Sequence, residues 1–224
     1  MDTPSAGPVS PFRRRAGLLV GIVLLILLVP ASLAAGSRAI PFATALDAVL
    51  AFDPANDLHL VVAMLRVPRT VLAILVGAAL GIAGALMQAM TRNPLAEPGI
   101  LGVNAGAATA VVLGMAIFGF THILQYVWFG FAGAGLASLV VFLLGRAREA
   151  GTNPVRLVLA GAGLAMVLNA VTTVTLLNSP DAVYNAFRNW ATGSLQGRGY
   201  DVIPIVATAC AVGLGLAFSI ARPL

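Results

Sequence analysis

Long charge-free apolar intervals organise the chain. Residues 16–37, 70–91, 98–145, 157–180 and 202–221 contain no Asp, Glu, Lys or Arg. An α-helix crosses the hydrocarbon core of a bilayer in about 20 predominantly apolar residues. Four of the intervals hold one such helix each, and 98–145 holds two, divided near Gly119-Phe120-Thr121-His122. The pattern predicts an all-α, polytopic membrane helix bundle with six transmembrane helices, over 16–36, 69–91, 99–119, 122–145, 156–178 and 202–221. Residues 1–15, rich in Pro, Ser and Arg, read as a cytoplasmic tail, and 16–224 as one transmembrane domain.

The connections carry turn chemistry. Residues 41–50 read as a short surface helix between the first two spans. Arg92-Asn93-Pro94-Leu95-Ala96-Glu97-Pro98-Gly99 holds two prolines that forbid a continuous helix. A second turn, 146–156, carries Thr152-Asn153-Pro154. The stretch 181–201 reads as the last outside loop, with Trp190 and Tyr200 as interfacial anchors.

Polar positions inside the spans are few and patterned. Gly77, Gly81, Gly84 and Gln88 fall on one helix face, small for three turns and ending in an amide. Gly102, Gly106 and Thr109 repeat the device around Asn104. Small residues let helix backbones approach in lipid, so these faces suit either ordinary packing or the lining of a pathway. Asn169, Thr172 and Thr173 form a polar patch that suits pathway lining or an interhelical hydrogen bond.

Composition sharpens the membrane reading. Only 9% of the 224 residues are charged and 59% are hydrophobic, with mean hydropathy +0.97. A soluble domain carries about a quarter of its residues charged, so this chain cannot cover a water-facing surface. The net charge of +5 comes entirely from Arg among the basic residues, and these sit between spans. Six crossings starting inside place Arg13, Arg14, Arg15, Arg92, Arg146, Arg148, Arg156 and Arg222 in the cytoplasm. Arg38, Arg66, Arg69, Arg188 and Arg198 then fall outside. That asymmetry favours cytoplasmic N- and C-termini, and the positive balance reflects topology rather than nucleic-acid binding.

Apart from Arg69 and Arg156 at the ends of two spans, no span carries an Asp, Glu, Lys or Arg, which argues against an ion-coupled carrier, whose ion needs a site. There is no Walker A sequence, no HExxH, no metal-ligand cluster and no candidate triad. His59 and His122 are single residues at interfaces, and the lone Cys210 can form no internal disulfide. The chain is expected to be no enzyme and to hold no cofactor or metal.

Three stretches resemble the FecCD-type permease subunits of type II ABC importers, which serve iron-siderophores, haem and cobalamin. They are Arg66-Val67-Pro68-Arg69, the glycine face ending at Gln88, and the turn from Arg92 to Val103. Leu159-Ala160-Gly161 and Trp190-Ala191-Thr192-Gly193-Ser194-Leu195 look like later signatures of the same family. The resemblance, over about residues 20–224, implies a multi-pass subunit of the bacterial inner membrane that forms the translocation pathway. It implies a homodimer or a paired permease subunit, cytoplasmic ATP-binding subunits that hydrolyse ATP, and a periplasmic or lipid-anchored substrate-binding protein. It places Arg66 and Arg69 outward against glutamates of that binding protein. Two guanidiniums three residues apart suit a bidentate grip on carboxylates, though snorkelling at the lipid surface is the simpler use of such residues. Asn93 and Leu95 match the inner gate loop, and Thr152 and Asn153 the other gate loop more loosely. Family permeases have about ten spans, so the C-terminal part of the family domain is expected to be missing here. A truncated remnant, or a six-span carrier or channel with a neutral filter of Gln88, Asn104 and Asn169, is the competing reading.

Overall fold

The computed structural model of the chain describes residues 11–91, 93–146 and 154–220, so Arg92, Thr152 and Asn153 lie outside the described residues. Nine α-helices occur among the described residues, and no strand. They are α1 (Pro11–Ala34), α2 (Phe42–Leu50), α3 (Asp57–Val61), α4 (Val67–Thr91), α5 (Val103–Phe118), α6 (Ile123–Arg146), α7 (Pro154–Leu177), α8 (Asp181–Ala191) and α9 (Ile203–Ile220). Among the described residues, four apolar stretches are long enough to cross a membrane: Arg15–Ala34, Asp57–Thr91, Ile123–Gly145 and Val155–Leu177. Val103–Phe118 and Ile203–Ser219 are apolar but shorter. All six lie in the order that the apolar intervals predict.

The helix expected over 69–91 begins earlier. α3 runs through a π-helical turn, Val62–Arg66, directly into α4. The Val67 N–H bonds to the Val62 carbonyl, five residues back. Such a widened turn fits the next residue, because Pro68 has no N–H to donate. The chain keeps its helical course through a proline that would otherwise break it.

The chain divides into two compact units, Met1–Leu75 with Leu195–Val206, and Val76–Ser194 with Ala207–Leu224. In the first, Ile40, Ala45, Ala48 and Val62 form a buried cluster, with Leu33, Leu58, Val61 and Val67 packed around it. Residues 41–50 meet their expectation as α2, which buries Ala45 and Ala48 and leaves Phe42, Leu46 and Val49 exposed. His59 is buried. Its Nδ1 accepts from the Asp53 N–H at 3.1 Å, and its Nε2 lies 3.7 Å from the Asp47 carboxylate.

The second unit is built on α5, α6 and α7. α5 and α6 are an antiparallel pair whose backbones nearly touch. A Cβ added to Gly106 would collide with Ala137 and the Gly133 carbonyl, and one added to Gly133 would collide with Gly106 and Ala110. α7 runs alongside α5 in the same direction. A Cβ on Gly161 would strike the Ile100 carbonyl in the 3₁₀ turn Pro98–Leu101, so the glycine of Leu159-Ala160-Gly161 seats that turn.

The stretch expected as an outside loop instead contains α8. Val183, Ala186, Phe187 and Trp190 pack on Val111, Met115 and Tyr126. α8 begins beyond the end of α7 and finishes beside Asn104 and Ala105 at the start of α5, so it doubles back along α5. Trp190 is therefore a half-buried residue packed on that cluster. Its spacing from Val183 through Ala186 and Phe187 is that of one helical face.

Candidate functional site

Two clefts, one in each unit, collect four of the residues that the sequence singles out, Arg66 and Arg69 in one and Asn104 and Asn169 in the other.

The first cleft, about 460 Å³, is lined by Gly36, Ser37, Arg38, Val61, Leu65, Arg66, Arg69, Gln196 and Gly197. Three arginines and, among the described residues, no carboxylate line it. Arg66 departs from the outward orientation that the resemblance implies. It is 3% exposed, and its Nη1 donates to the Leu33 and Ala34 carbonyls at 2.7 and 2.6 Å. Its Nη2 donates to the Arg38 carbonyl. The reason is local: Leu33 and Ala34 close α1, and the last carbonyls of a helix have no partner of their own. A cation also suits the negative end of the helix dipole. Arg69, one turn on, is only partly buried and lines the cleft. Arg38, which the sequence reading placed simply outside, is exposed on the same rim.

Beside it, α1 and the start of α4 enclose a groove of about 590 Å³ that Arg69 also borders. The Ser32 and Thr70 hydroxyls meet there at 2.8 Å, and Thr70 also donates to the Arg66 carbonyl at 2.9 Å. The helix carrying both arginines is thus pinned to α1 by two separate contacts.

The second cleft, about 610 Å³, lies in the other unit. Glu97 and Gly99 come from the proline turn, Asn104 and Ala105 from α5, Ala165 and Asn169 from α7, and Trp190 and Ala191 from α8. The structure brings Asn104 and Asn169 together in one wall. Glu97 and Trp190 join them, and the periodicity of α8 is the signal that could have found Trp190.

Thr172 does not join them. Its hydroxyl is buried and sits 2.9 Å from that of Thr109, which also donates to Ala105 and Leu168 carbonyls. Thr172 ties α7 to α5 rather than lining an open surface, the hydrogen-bond alternative of the two the sequence left open. Such a bond in a membrane protein contributes on average about 0.6 kcal/mol.

Gly77, Gly81 and Gly84 meet no described atom within 4 Å of an added Cβ, and Gln88 is exposed. This face of α4 packs against nothing described within the chain. The proline turn presents Leu95 at 86% exposure. The Asn93 side-chain oxygen accepts from the Leu95 N–H at 2.9 Å, and the Asn93 carbonyl from Ala96 at 3.1 Å. Asn93 therefore folds the turn while Leu95 stands clear of it.

His122 leaves its side chain exposed beside the α5–α6 turn, where Gln125 accepts from the His122 and Thr121 N–H groups. Among the described residues no group of His, Cys, Asp and Glu could hold a metal ion.

Comparison with known proteins supplies the frame for these clefts. The chain is 41% identical over 211 residues to the ferric enterobactin transport system permease protein FepD of Escherichia coli, covering 94% of this chain and 63% of that one. It is 38% identical over 205 residues to the iron(3+)-hydroxamate import system permease protein FhuB of Bacillus subtilis, covering 92% and 53%. Against the Fe(3+)-citrate import system permease protein YfmD of Bacillus subtilis the identity is 34%, covering 89% and 58%. The chain thus spans less than two thirds of the length of these relatives. A solved transporter described as of the metal-chelate ABC type, in an inward-facing conformation, superposes with TM-score 0.73 at 23% identity. It covers 92% of this chain and 62% of that one, and so shares the fold. Residues 24–224 match the FecCD transport family, and the chain belongs to that family.

Proposed function

We propose that the chain is a pathway-forming permease segment of an ATP-driven importer of the bacterial inner membrane, with iron-siderophore, haem or cobalamin-like chelates as cargo. The family match over residues 24–224 carries this reading. The iron-chelate permeases among the relatives favour an iron-siderophore within that class. A six-span carrier with a neutral filter is not favoured, since the family matched over residues 24–224 is a transport family whose relatives are ABC-importer permeases.

In this reading the chain performs no reaction. ATP is hydrolysed by cytoplasmic ATP-binding subunits, and a periplasmic or lipid-anchored binding protein delivers cargo to a homodimer or paired permease. The N- and C-termini face the cytoplasm. The basic cleft holding Arg66 and Arg69 receives acidic side chains of the binding protein. The Asn104–Asn169 cleft and the glycine face of α4 border the route of the cargo. The Asn93–Leu95 turn, with Thr152 and Asn153 outside the described residues, closes its cytoplasmic mouth.

The physics suits a large intact ligand. A cleft lined by two amides and one carboxylate, Glu97, offers a polar chelate donors and acceptors along its way. The experiment is uptake of labelled ferric siderophore, ferric citrate, haem and cobalamin. The cells lack their own permeases and carry this gene with neighbouring ATP-binding and binding-protein genes. ATP-dependent uptake of at least one is expected, and uptake of none of the four would overturn the reading.

A further inference from the structure

The π-helical turn between α3 and α4 leaves the Ala63 carbonyl without a helical donor. Val67, which a regular helix would pair with it, gives its N–H to the Val62 carbonyl instead. Pro68, the next residue along the widened turn, has no N–H to give. The missing donor comes from far along the chain: the Tyr200 hydroxyl donates to the Ala63 carbonyl at 2.7 Å. We propose that Tyr200 is a positioning residue, a clasp that holds this joint in its π winding and so sets the register of α3 against α2. The inference does not depend on the function proposed above.

The clasp decides between two windings of the same residues. In a regular α-helix the Val67 N–H would bond to the Ala63 carbonyl, the acceptor that the Tyr200 hydroxyl now occupies. The π turn absorbs one extra residue, so regular winding would turn α3 by about 100° and shift it by about 1.5 Å relative to α4. His59 and Val62, now 3% and 0% exposed beside α2, would leave that contact. Leu60, now 36% exposed, would move into the place of His59.

The surroundings make α3 the part that turns. On the α4 side, the Thr70 hydroxyl bonds to the Arg66 carbonyl at 2.9 Å and meets Ser32 of α1 at 2.8 Å. The segment that carries the clasp is anchored as well. Gly197 turns it at φ 71°, and Val202, at the start of α9, is buried. Tyr200 and Ala63 lie in the same compact unit. Displacement of the segment before α9 is thereby coupled to the register of α3, an arrangement with two discrete states rather than a continuous bend.

Thiol reactivity tests the register on the full chain, purified in detergent in a Cys210→Ser background. The probe is methyl methanethiosulfonate, small and uncharged, read by mass spectrometry. With Tyr200 present, Leu60→Cys is expected to react at least about tenfold faster than Val62→Cys, which reacts only on opening. Tyr200→Phe keeps the ring and removes the donor, and the order should then invert. Val62→Cys should gain about tenfold and Leu60→Cys should lose about as much, because the turned helix exchanges their surroundings. Unchanged rates at both positions would make the hydroxyl bond an incidental contact. Gains at both would mean that α3 melts rather than turns. A Tyr200→Phe chain that no longer folds would mean that the hydroxyl holds the fold rather than one joint. Each of these three results overturns the clasp.

Discussion

The hydroxyls of Thr109 and Thr172 meet 2.9 Å apart between α5 and α7, in a buried polar link between those helices. Thr109 holds more than Thr172 does, because its oxygen also contacts the Ala105 and Leu168 carbonyls. Thr172→Val should therefore cost about 0.6 kcal/mol of stability, and Thr109→Val more, up to about 1.7 kcal/mol. A double-mutant cycle in detergent-denaturant titrations measures the coupling. Additive losses would mean that the two hydroxyls do not interact.

The α5–α6 crossing should be the least tolerant place in the second unit. Gly106→Ala or Gly133→Ala sets a methyl group against a facing backbone, so the helices must separate along their length. Overpacking of that kind costs about 1–3 kcal/mol. Gly77→Ala and Gly81→Ala meet no described atom and should leave the folded fraction unchanged. Fluorescence-detected size exclusion of tagged variants distinguishes the two pairs. Equal losses at both would mean that the α4 glycines are packed in the assembled protein.

Leu95 should act on leakage rather than on folding. Its side chain is 86% exposed, and the turn beneath it is held by Asn93. Leu95→Ala in the assembled importer is expected to raise cargo efflux from vesicles without ATP, at unchanged thermal stability. Asn93→Ala removes the bond to the Leu95 N–H and should raise leakage as well. Unchanged leakage in both variants would reduce the turn to a connector.

How much of this was legible along the chain depends on how local each cause is. Apolar length is a local property, and the six apolar helices appear in the predicted order. Small-residue spacing marked Gly106 correctly as a position of close approach, since only a glycine admits a backbone that near. α8 escaped because its polar half made it read as a loop, while Val183, Ala186, Phe187 and Trp190 carried a helical period in plain view. The burial of Arg66 could not be read at all. Its partners are backbone carbonyls 28 to 33 residues away, and carbonyls leave no mark on a sequence. The same holds for Thr172, whose polar patch announced a role without naming Thr109 as its partner.

Topology is open to direct labelling. Arginine placement favours cytoplasmic termini, with the loop before α3 outside and the Asn93–Leu95 turn inside. Ala55→Cys, exposed in the turn before α3, should react with an impermeant thiol reagent in spheroplasts. Leu95→Cys, also exposed, should react only after the membrane is opened. Both should be compared in a Cys210→Ser background. Labelling of Leu95→Cys from outside would reverse the orientation.

The amide wall offers the sharpest test of where cargo passes. Asn104 and Asn169 are exposed within one cleft, whereas Thr172, three residues on from Asn169, is buried in a helix contact. Replacing an exposed amide by leucine costs the fold little, so Asn104→Leu and Asn169→Leu should keep abundance and stability. Each removes one hydrogen-bonding group that a polar chelate can use in transit. A net bond of about 0.5–1.5 kcal/mol corresponds to roughly two- to tenfold in uptake rate. The pair together should lose more than either alone, because both amides of the wall would then be gone and Glu97 would be left to meet a polar cargo. Thr172→Val is the control: it should lower stability and leave the uptake per folded molecule unchanged. If the leucine variants transport at the normal rate while Thr172→Val does not, the route does not run along this wall, and the cleft is only a seam between α5, α7 and α8.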